Sequence, residues 1–184
     1  MEANFPQNII FAQSNLMKIM YDQKKYEATV TYAEKVLEHK KADIQIKSDA
    51  TIFIARSAIK TNNLKKAEKA YSEISKEAKG ALKAEALYYE SFFKNRAGKY
   101  QESNKTVQEL ASKYANHKYW GIKGLIVMAE NNIGLKDAFQ ATYILENVIE
   151  NYKQFPDLVK EAKIILDQIQ TAVELKVKET TENK

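Results

Sequence analysis

The two histidines are the first candidates for chemistry, because a neutral imidazole can act as a general base or as a metal ligand. His39 and His117 lie near the ends of expected helices, and a lysine follows each of them. A zinc site requires several ligands on one face, and neighbouring ammonium groups repel a cation. We therefore interpret both histidines as surface residues and predict no metal site.

The other reactive side chains do not combine into a catalytic pattern. The chain has no cysteine, which excludes disulfides, thiolate metal sites and a cysteine nucleophile. Glu90 and Lys94 are four residues apart, which is the spacing of an ion pair on a helix surface. Gly121 and Gly124 have the spacing of a short nucleic-acid clamp loop but lack its flanking strands, so they favour a close helix approach beside Trp120. We predict no catalytic residue, no cofactor and no enzymatic activity.

Composition predicts an all-α protein. The 184 residues include only 5 glycines and 2 prolines, too few for the turns of an all-β fold. The net charge is +5, but Arg56 and Arg96 are the only arginines. Because nucleic-acid recognition favours the arginine fork, the lysines indicate solvated helix faces and no nucleic-acid partner. No apolar run reaches the about 18 residues that span a bilayer, so we expect no membrane insertion.

Small residues recur in pairs twelve positions apart, with a period of 38, 36 and 38 residues. The pairs are Ala55 with Ala67, Ser91 with Ser103, and Ala129 with Ala141, and Met17 with Thr29 is an earlier, weaker pair. Two antiparallel helices that cross closely need a small residue on each side of the crossing. The pattern therefore predicts four helical hairpins. Four and seven positions after the second member of each pair come residues expected to face the core: Ala33, Tyr71, Val107, Leu145, Val36, Ile74, Leu110 and Val148.

This pattern resembles the tetratricopeptide repeat (TPR) family over about residues 10–155. The best match is Ile54-Ala55, Asn62-Asn63-Leu64-Lys65-Lys66-Ala67, Tyr71 and Ile74, followed by Gly98-Lys99-Tyr100-Gln101-Glu102-Ser103 and by Met128-Ala129, Ala138 and Ala141. The repeats are longer than the usual ~34 residues, and the closing proline occurs once, as Pro156. The stretch from Ala84 to Ile169 also resembles the C-terminal part of long TPR proteins of the bacterial envelope.

The resemblance implies an α-solenoid of about four TPR-like hairpins with a C-terminal capping helix. We expect repeats at 8–41, 43–80, 81–116 and 117–155, a capping helix at 157–176 and a disordered tail at 177–184. Residues 1–176 would form a single superhelical domain.

In the TPR family the first helix of each hairpin lines a concave groove. The groove positions that the resemblance implies are Ser14, Lys18, Tyr21, Ile52, Arg56, Lys60, Tyr88, Phe92, Asn95, Arg96, Lys123 and Ile126. Our candidates for binding a peptide are Lys18, Tyr21, Arg56, Lys60, Tyr88, Phe92, Asn95 and Arg96. Whether Tyr88 and Phe92 lie in the groove or in the core is left open, since their helix has more apolar residues than one face can bury.

Two functions are consistent with these observations. The favoured one is a protein-interaction scaffold that binds a peptide or protein partner rich in acidic and apolar residues. The TPR positions that clamp a chaperone-tail carboxylate hold unsuitable residues here, so such tails are not expected. The alternative is a structural role, as the terminal segment of a longer array that extends or caps the solenoid. A lysine-rich surface that binds an anionic polymer is a third, weaker hypothesis.

The first helix suggests how the chain could self-associate. It carries more apolar residues than one face can hold, namely Ile9, Ile10, Phe11, Leu16, Met17, Ile19 and Met20. We expect this N-terminal edge to be covered by upstream repeats or by a second copy of the chain. The start of the chain has no targeting signal and reads like an excised piece. That favours the cytoplasm by default, and the periplasm or envelope for a fragment of a longer exported protein.

Overall fold

The computed structural model describes residues 5–182, with the backbone alone for residue 174 and for 176–182. This part of the chain is helical and contains no strand, which confirms the all-α prediction. The helices are α1 Pro6–Asp22, α2 Tyr26–Glu38, α3 Ile44–Lys60, α4 Leu64–Glu77, α5 Gly80–Arg96, α6 Tyr100–Lys113, α7 Lys118–Gly134, α8 Ala138–Asn151 and α9 Pro156–Glu182.

The turn inside each predicted hairpin has the same unusual backbone conformation at one residue. One residue in each turn has a positive φ, at Lys24, Asn62, Gly98 and Lys136. These four residues are 38, 36 and 38 positions apart, so the turns repeat with the period of the small residues. A left-handed residue at this place reverses the chain directly after a helix. Glycine and asparagine adopt it most easily, and two of the four turns use them.

The helices are grouped into two compact units, Met1–Ala78 and Lys79–Lys184. The first unit contains α1 to α4 and the second contains α5 to α9. Within each unit, a helix packs against its neighbour in the sequence or against the next but one. The repeated hairpin is therefore present in both units. The superhelical solenoid and the single domain at 1–176 stay predictions.

The crossings of the hairpins are as tight as the pairs of small residues predict. All eight pair members are fully buried: Met17, Thr29, Ala55, Ala67, Ser91, Ser103, Ala129 and Ala141. In the third pair the two residues touch, since Ser103 Oγ donates a hydrogen bond to the Ser91 carbonyl oxygen at 2.8 Å. The core positions that follow are buried as well, including Val36, Val107 and Leu145. The burial predicted from the repeat pattern is confirmed.

The crossings give a first testable prediction. Ala55→Leu or Ala129→Leu should lower the free energy of unfolding by about 1–3 kcal/mol, because neither site has room for three more carbon atoms. The change would be measured by chemical denaturation followed by circular dichroism. The matched control is Ala111→Leu, an exposed position of α6, which should change stability by less than about 0.5 kcal/mol. Equal effects at buried and exposed sites would contradict the crossing assignment.

The N-terminal edge has fewer exposed apolar residues than the sequence suggests. Ile10 and Met17 are buried with Ser14 on the face of α1 that packs into the unit. The apolar residues that remain exposed on α1 are Ile9, Phe11 and Ile19, and Phe5 just before the helix is 60% exposed.

The terminal helix begins with Pro156 and covers the last hairpin. Leu158 and Ala162 are buried against residues of α7 and α8, and Ile165, Leu166 and Ile169 pack beside them. This is the contact expected of a capping helix. The helix continues to Glu182, past the boundary expected at Lys176. The last residues of the predicted disordered tail, 183 and 184, lie outside the described residues.

Candidate functional site

The eight candidate binding residues fall into two sets, one in each unit. Lys18 and Tyr21 lie on α1, and Arg56 and Lys60 lie on α3, which packs directly against α1. The other four, Tyr88, Phe92, Asn95 and Arg96, all lie on α5.

The first set combines three cationic side chains with one aromatic side chain, that of Tyr21, which packs against neighbouring rings. The Tyr21 ring meets the Phe53 ring edge to face, with the centroids 5.0 Å apart, and the Tyr26 ring at 5.7 Å. Tyr21 and Arg56 are half-buried, while Lys18 and Lys60 are exposed. The packing of α1 on α3 therefore holds the aromatic side chain in place and leaves the two ammonium groups accessible to solvent.

Tyr88, in the second set, is a core residue. It is 7% exposed and packs with Ala84, Leu87, Leu110 and Val127. Its ring contacts that of Trp120, with the centroids 5.4 Å apart. Burial raises the pKa of the Tyr88 phenol well above its ordinary value. These contacts settle the question that the sequence left open and remove Tyr88 from the accessible binding surface.

Helix α5 is buried on more than one side because both α6 and α7 pack against it. Five consecutive residues, Ala84 to Tyr88, are buried, and Glu85 among them is 4% exposed. Phe92 is half-buried, with its ring 6.3 Å from that of Tyr89 and 5.4 Å from that of Phe93. Of the aromatic candidates on α5, only Phe92 is partly accessible.

Asn95 belongs to a polar network rather than to an open surface. Its Nδ2 donates to Asn131 Oδ1 at 2.8 Å. Asn131 is fully buried, and its own amide donates to Ser103 Oγ at 2.8 Å and to Asn104 Oδ1 at 2.7 Å. Through Ser103 the network reaches the backbone of α5. We infer that Asn95 ties α5 to α7, which leaves Arg96 as the exposed candidate on this helix.

Charged residues that the candidate set did not include surround Tyr88. The Lys123 ammonium lies 5.1 Å from the centre of the Tyr88 ring, in cation–π geometry, and 3.6 Å from Glu161 Oε2. Burial raises the pKa of Glu130, and Glu161 raises it further, while Arg96 and Lys123 oppose the shift. Lys123 and Glu130 are seven residues apart on α7. Helical periodicity in the sequence could therefore have predicted that they lie on the same face of this helix.

Comparisons with protein-family models, with curated proteins and with solved structures find no match to this chain. The TPR assignment therefore rests on the sequence repeat and stays a prediction.

The described residues also bear on metals, histidines and membranes. Among the side chains that the structure describes, those of residues 5–173 and 175, there is no group of three or more His, Cys, Asp or Glu residues that could hold a metal ion. His39 Nε2 lies 2.8 Å from Gln13 Oε1, in hydrogen-bonding distance, and the His117 ring lies 6.5 Å from that of Tyr114. Over the same range, every helix is too short or too polar to cross a bilayer.

Proposed function

We propose that the chain is a non-enzymatic interaction scaffold that binds a peptide or protein segment along the first helices of its hairpins. The observation that carries the proposal is the set on α1 and α3. Lys18 and Lys60 are exposed, and Tyr21 and Arg56 are half-buried, on two helices in direct contact.

The chemistry of this set favours a particular partner. Three of its four side chains are cations, and the fourth is an aromatic ring held by Phe53. Cations attract carboxylates, and a fixed aromatic ring offers apolar area at a low cost in side-chain entropy. A segment with acidic and apolar residues would complement both. The second unit, taken by itself, has an exposed cation in Arg96 and a partly accessible aromatic side chain in Phe92.

The test is selection of peptides from a random displayed library on the full chain. We expect the selected peptides to be enriched in Asp, Glu and large apolar residues. The double substitution Lys18→Glu with Lys60→Glu should weaken their binding at least tenfold, measured by fluorescence anisotropy, because it turns attraction into repulsion.

The matched control is Lys65→Glu with Lys69→Glu, which makes the same change in charge at two exposed lysines of α4 in the same unit. This control should keep most of the affinity. If both double variants lose affinity equally, or if binding collapses in moderate salt, the chain attracts polyanions non-specifically and the proposal is wrong.

The structural alternative is supported by a separate observation, the exposed apolar residues at the start of the first unit. Phe5 is 60% exposed, Phe11 70% and Ile19 46%. Such side chains suit contact with another repeat or with a second copy of the chain. Sedimentation tests the self-association part of this alternative, because a clean monomer at high protein concentration would contradict self-association and leave the scaffold proposal intact.

A further inference from the structure

The outer face of α8, in the second unit, carries two large aromatic side chains that are mostly exposed. Phe139 is 83% exposed and Tyr143 is 61% exposed. The two residues are four positions apart, so they project from the same face of the helix. Single exposed apolar residues are common on protein surfaces, but neighbouring aromatic residues are a feature in which interfaces are enriched.

The repeated hairpin does not require aromatic residues at these two places. Equivalent places in the other hairpins are found by counting from the left-handed residue of each turn, which is Lys136 in the last hairpin. The equivalent residues of α2, α4 and α6 are Glu27 and Thr31, Lys65 and Lys69, and Gln101 and Lys105. All six are polar and exposed. The aromatic pair is therefore particular to α8.

Two glutamates continue the same face towards the end of the helix. Glu146 follows Phe139 by seven residues, Glu150 follows Tyr143 by seven, and both glutamates are exposed. The four residues have successive spacings of four, three and four, the spacing at which one helix packs along another. We call Phe139, Tyr143, Glu146 and Glu150 the outer seam of α8. Its first half is aromatic and its second half is acidic.

The two glutamates do not stabilise α8 itself. They are four residues apart, a spacing at which like charges on a helix repel each other. Helix α8 ends at Asn151, so Glu150 lies in the last turn, where the helix dipole disfavours a negative charge. The helix has no lysine or arginine of its own. Neither carboxylate has a hydrogen bond or an ion pair with a side chain in the described part of the chain, so both are available to a partner.

We propose that the outer seam of α8 docks an amphipathic helix of another protein, with apolar and basic residues at matching positions. Apolar side chains of that helix cover Phe139 and Tyr143, and its Lys or Arg side chains pair with Glu146 and Glu150. This surface is separate from the first helices invoked in the proposed function, and it selects a partner of the opposite charge. The chain is then an adaptor with two surfaces of different specificity.

The second helices of another copy of the chain match this seam less well. The most basic of them is α4, which has Lys65, Lys69 and Lys76 at three of the equivalent places and Ser72 at the fourth. Such a helix would neutralise the glutamates but has no apolar side chain there to cover the aromatic rings. Both halves of the seam are satisfied only by a helix that is basic and apolar, which favours a different protein.

The probe is an alanine-based helical peptide of about 18 residues, long enough to form an isolated helix. It has Lys, Lys, Leu and Leu at spacings of four, three and four, the order that suits antiparallel docking on the seam. Titration into the ¹⁵N-labelled full chain, followed by NMR, should shift the backbone amide signals of α8. A control peptide with Glu in place of both Lys should have at least fivefold lower affinity for α8, because two attractions become repulsions.

The double substitution Phe139→Ala with Tyr143→Ala tests the aromatic half of the seam. It should bind the Lys and Leu peptide at least tenfold more weakly, because aromatic anchors carry a large share of the energy of an interface. Its unfolding temperature should stay close to that of the wild type, since both side chains are exposed. The matched control is Gln101→Ala with Lys105→Ala, at the equivalent places of α6, which should bind the peptide like the wild type.

The double substitution Glu146→Lys with Glu150→Lys tests the acidic half. It should exchange the preference between the two peptides, so that α8 now binds the peptide with Glu at least fivefold more tightly than the peptide with Lys. A loss of structure cannot produce this exchange, which keeps the test specific for the charges.

The proposal is wrong if both peptides bind α8 of the wild type equally, if the shifted signals lie outside α8, or if the α6 control loses as much affinity as the aromatic double variant. It is also wrong if sedimentation shows a wild-type dimer that the aromatic double variant abolishes, because a second copy then occupies the seam. Failure of the proposed function is a separate result, since Lys18→Glu with Lys60→Glu should leave binding of the Lys and Leu peptide unchanged.

Discussion

Leu110→Ala should lower the free energy of unfolding by about 2–5 kcal/mol. Leu110 is fully buried in the core of the second unit, among Ala84, Leu87, Tyr88 and Val127. Truncation removes three carbon atoms from this core and leaves a cavity that rigid helices fill only in part. Denaturant unfolding followed by circular dichroism would measure the loss.

Gly124 allows a second test of the packing around Leu110, because α6 and α7 approach each other closely at that residue. A methyl group on Gly124 would lie 3.1 Å from Leu110 Cδ2 and 3.2 Å from Val107 Cγ1. In the wild type, Gly124→Ala should therefore crowd Leu110. In the Leu110→Ala background the same methyl group enters the cavity, so the second substitution should recover part of the lost stability.

Gly121→Ala is the matched control for this pair of substitutions. It lies on the same helix, and an added methyl group there meets no atom within 4 Å. It should stabilise both backgrounds by about 0.5–1 kcal/mol, the ordinary gain of alanine over glycine within a helix. If Gly124→Ala has the same effect in both backgrounds, the two residues are not coupled and the close approach is contradicted.

Tyr88→Ala should destabilise the chain by about 3–5 kcal/mol, the usual cost of removing a buried aromatic ring. The ring fills the core beside Trp120 and also receives the Lys123 ammonium on its face. Both contacts disappear together on truncation. The midpoint of guanidinium denaturation, followed by circular dichroism, would report the change.

Phe139→Ala is the comparison for Tyr88→Ala. Phe139 also lies in the second unit, but it is 83% exposed, so its truncation should change stability by less than about 0.5 kcal/mol. If Tyr88→Ala were equally mild, Tyr88 would belong to an open surface and its place in the core would be wrong.

The sequence predicted the helices and their crossings because those features depend on local spacing. Ala55 and Ala67, or Ser91 and Ser103, lie at the same place in each hairpin, and a tight crossing leaves room for nothing larger. Two of the turns could be predicted equally well from the sequence, since Asn62 and Gly98 are residues that adopt a left-handed backbone easily.

The binding residues were harder to predict because they depend on which neighbours cover a helix. Helix α5 is apolar around most of its circumference, so periodicity alone does not show that Tyr88 faces the core and Arg96 faces water. That division follows from the packing of both α6 and α7 on α5. The buried Ser14 hydroxyl, which has no partner among the described residues, could not be predicted from the sequence, because a buried serine usually finds a partner.

The packing of each helix on near neighbours also has a consequence for how the chain folds. Within a unit, every pair of packed helices is adjacent or separated by one helix. The chain therefore closes only short loops to form its native contacts, and the entropy lost in that search is small. Helical proteins with such local topology fold in microseconds to milliseconds. We expect each hairpin to be able to nucleate its own unit, with little time spent in states that expose apolar surface.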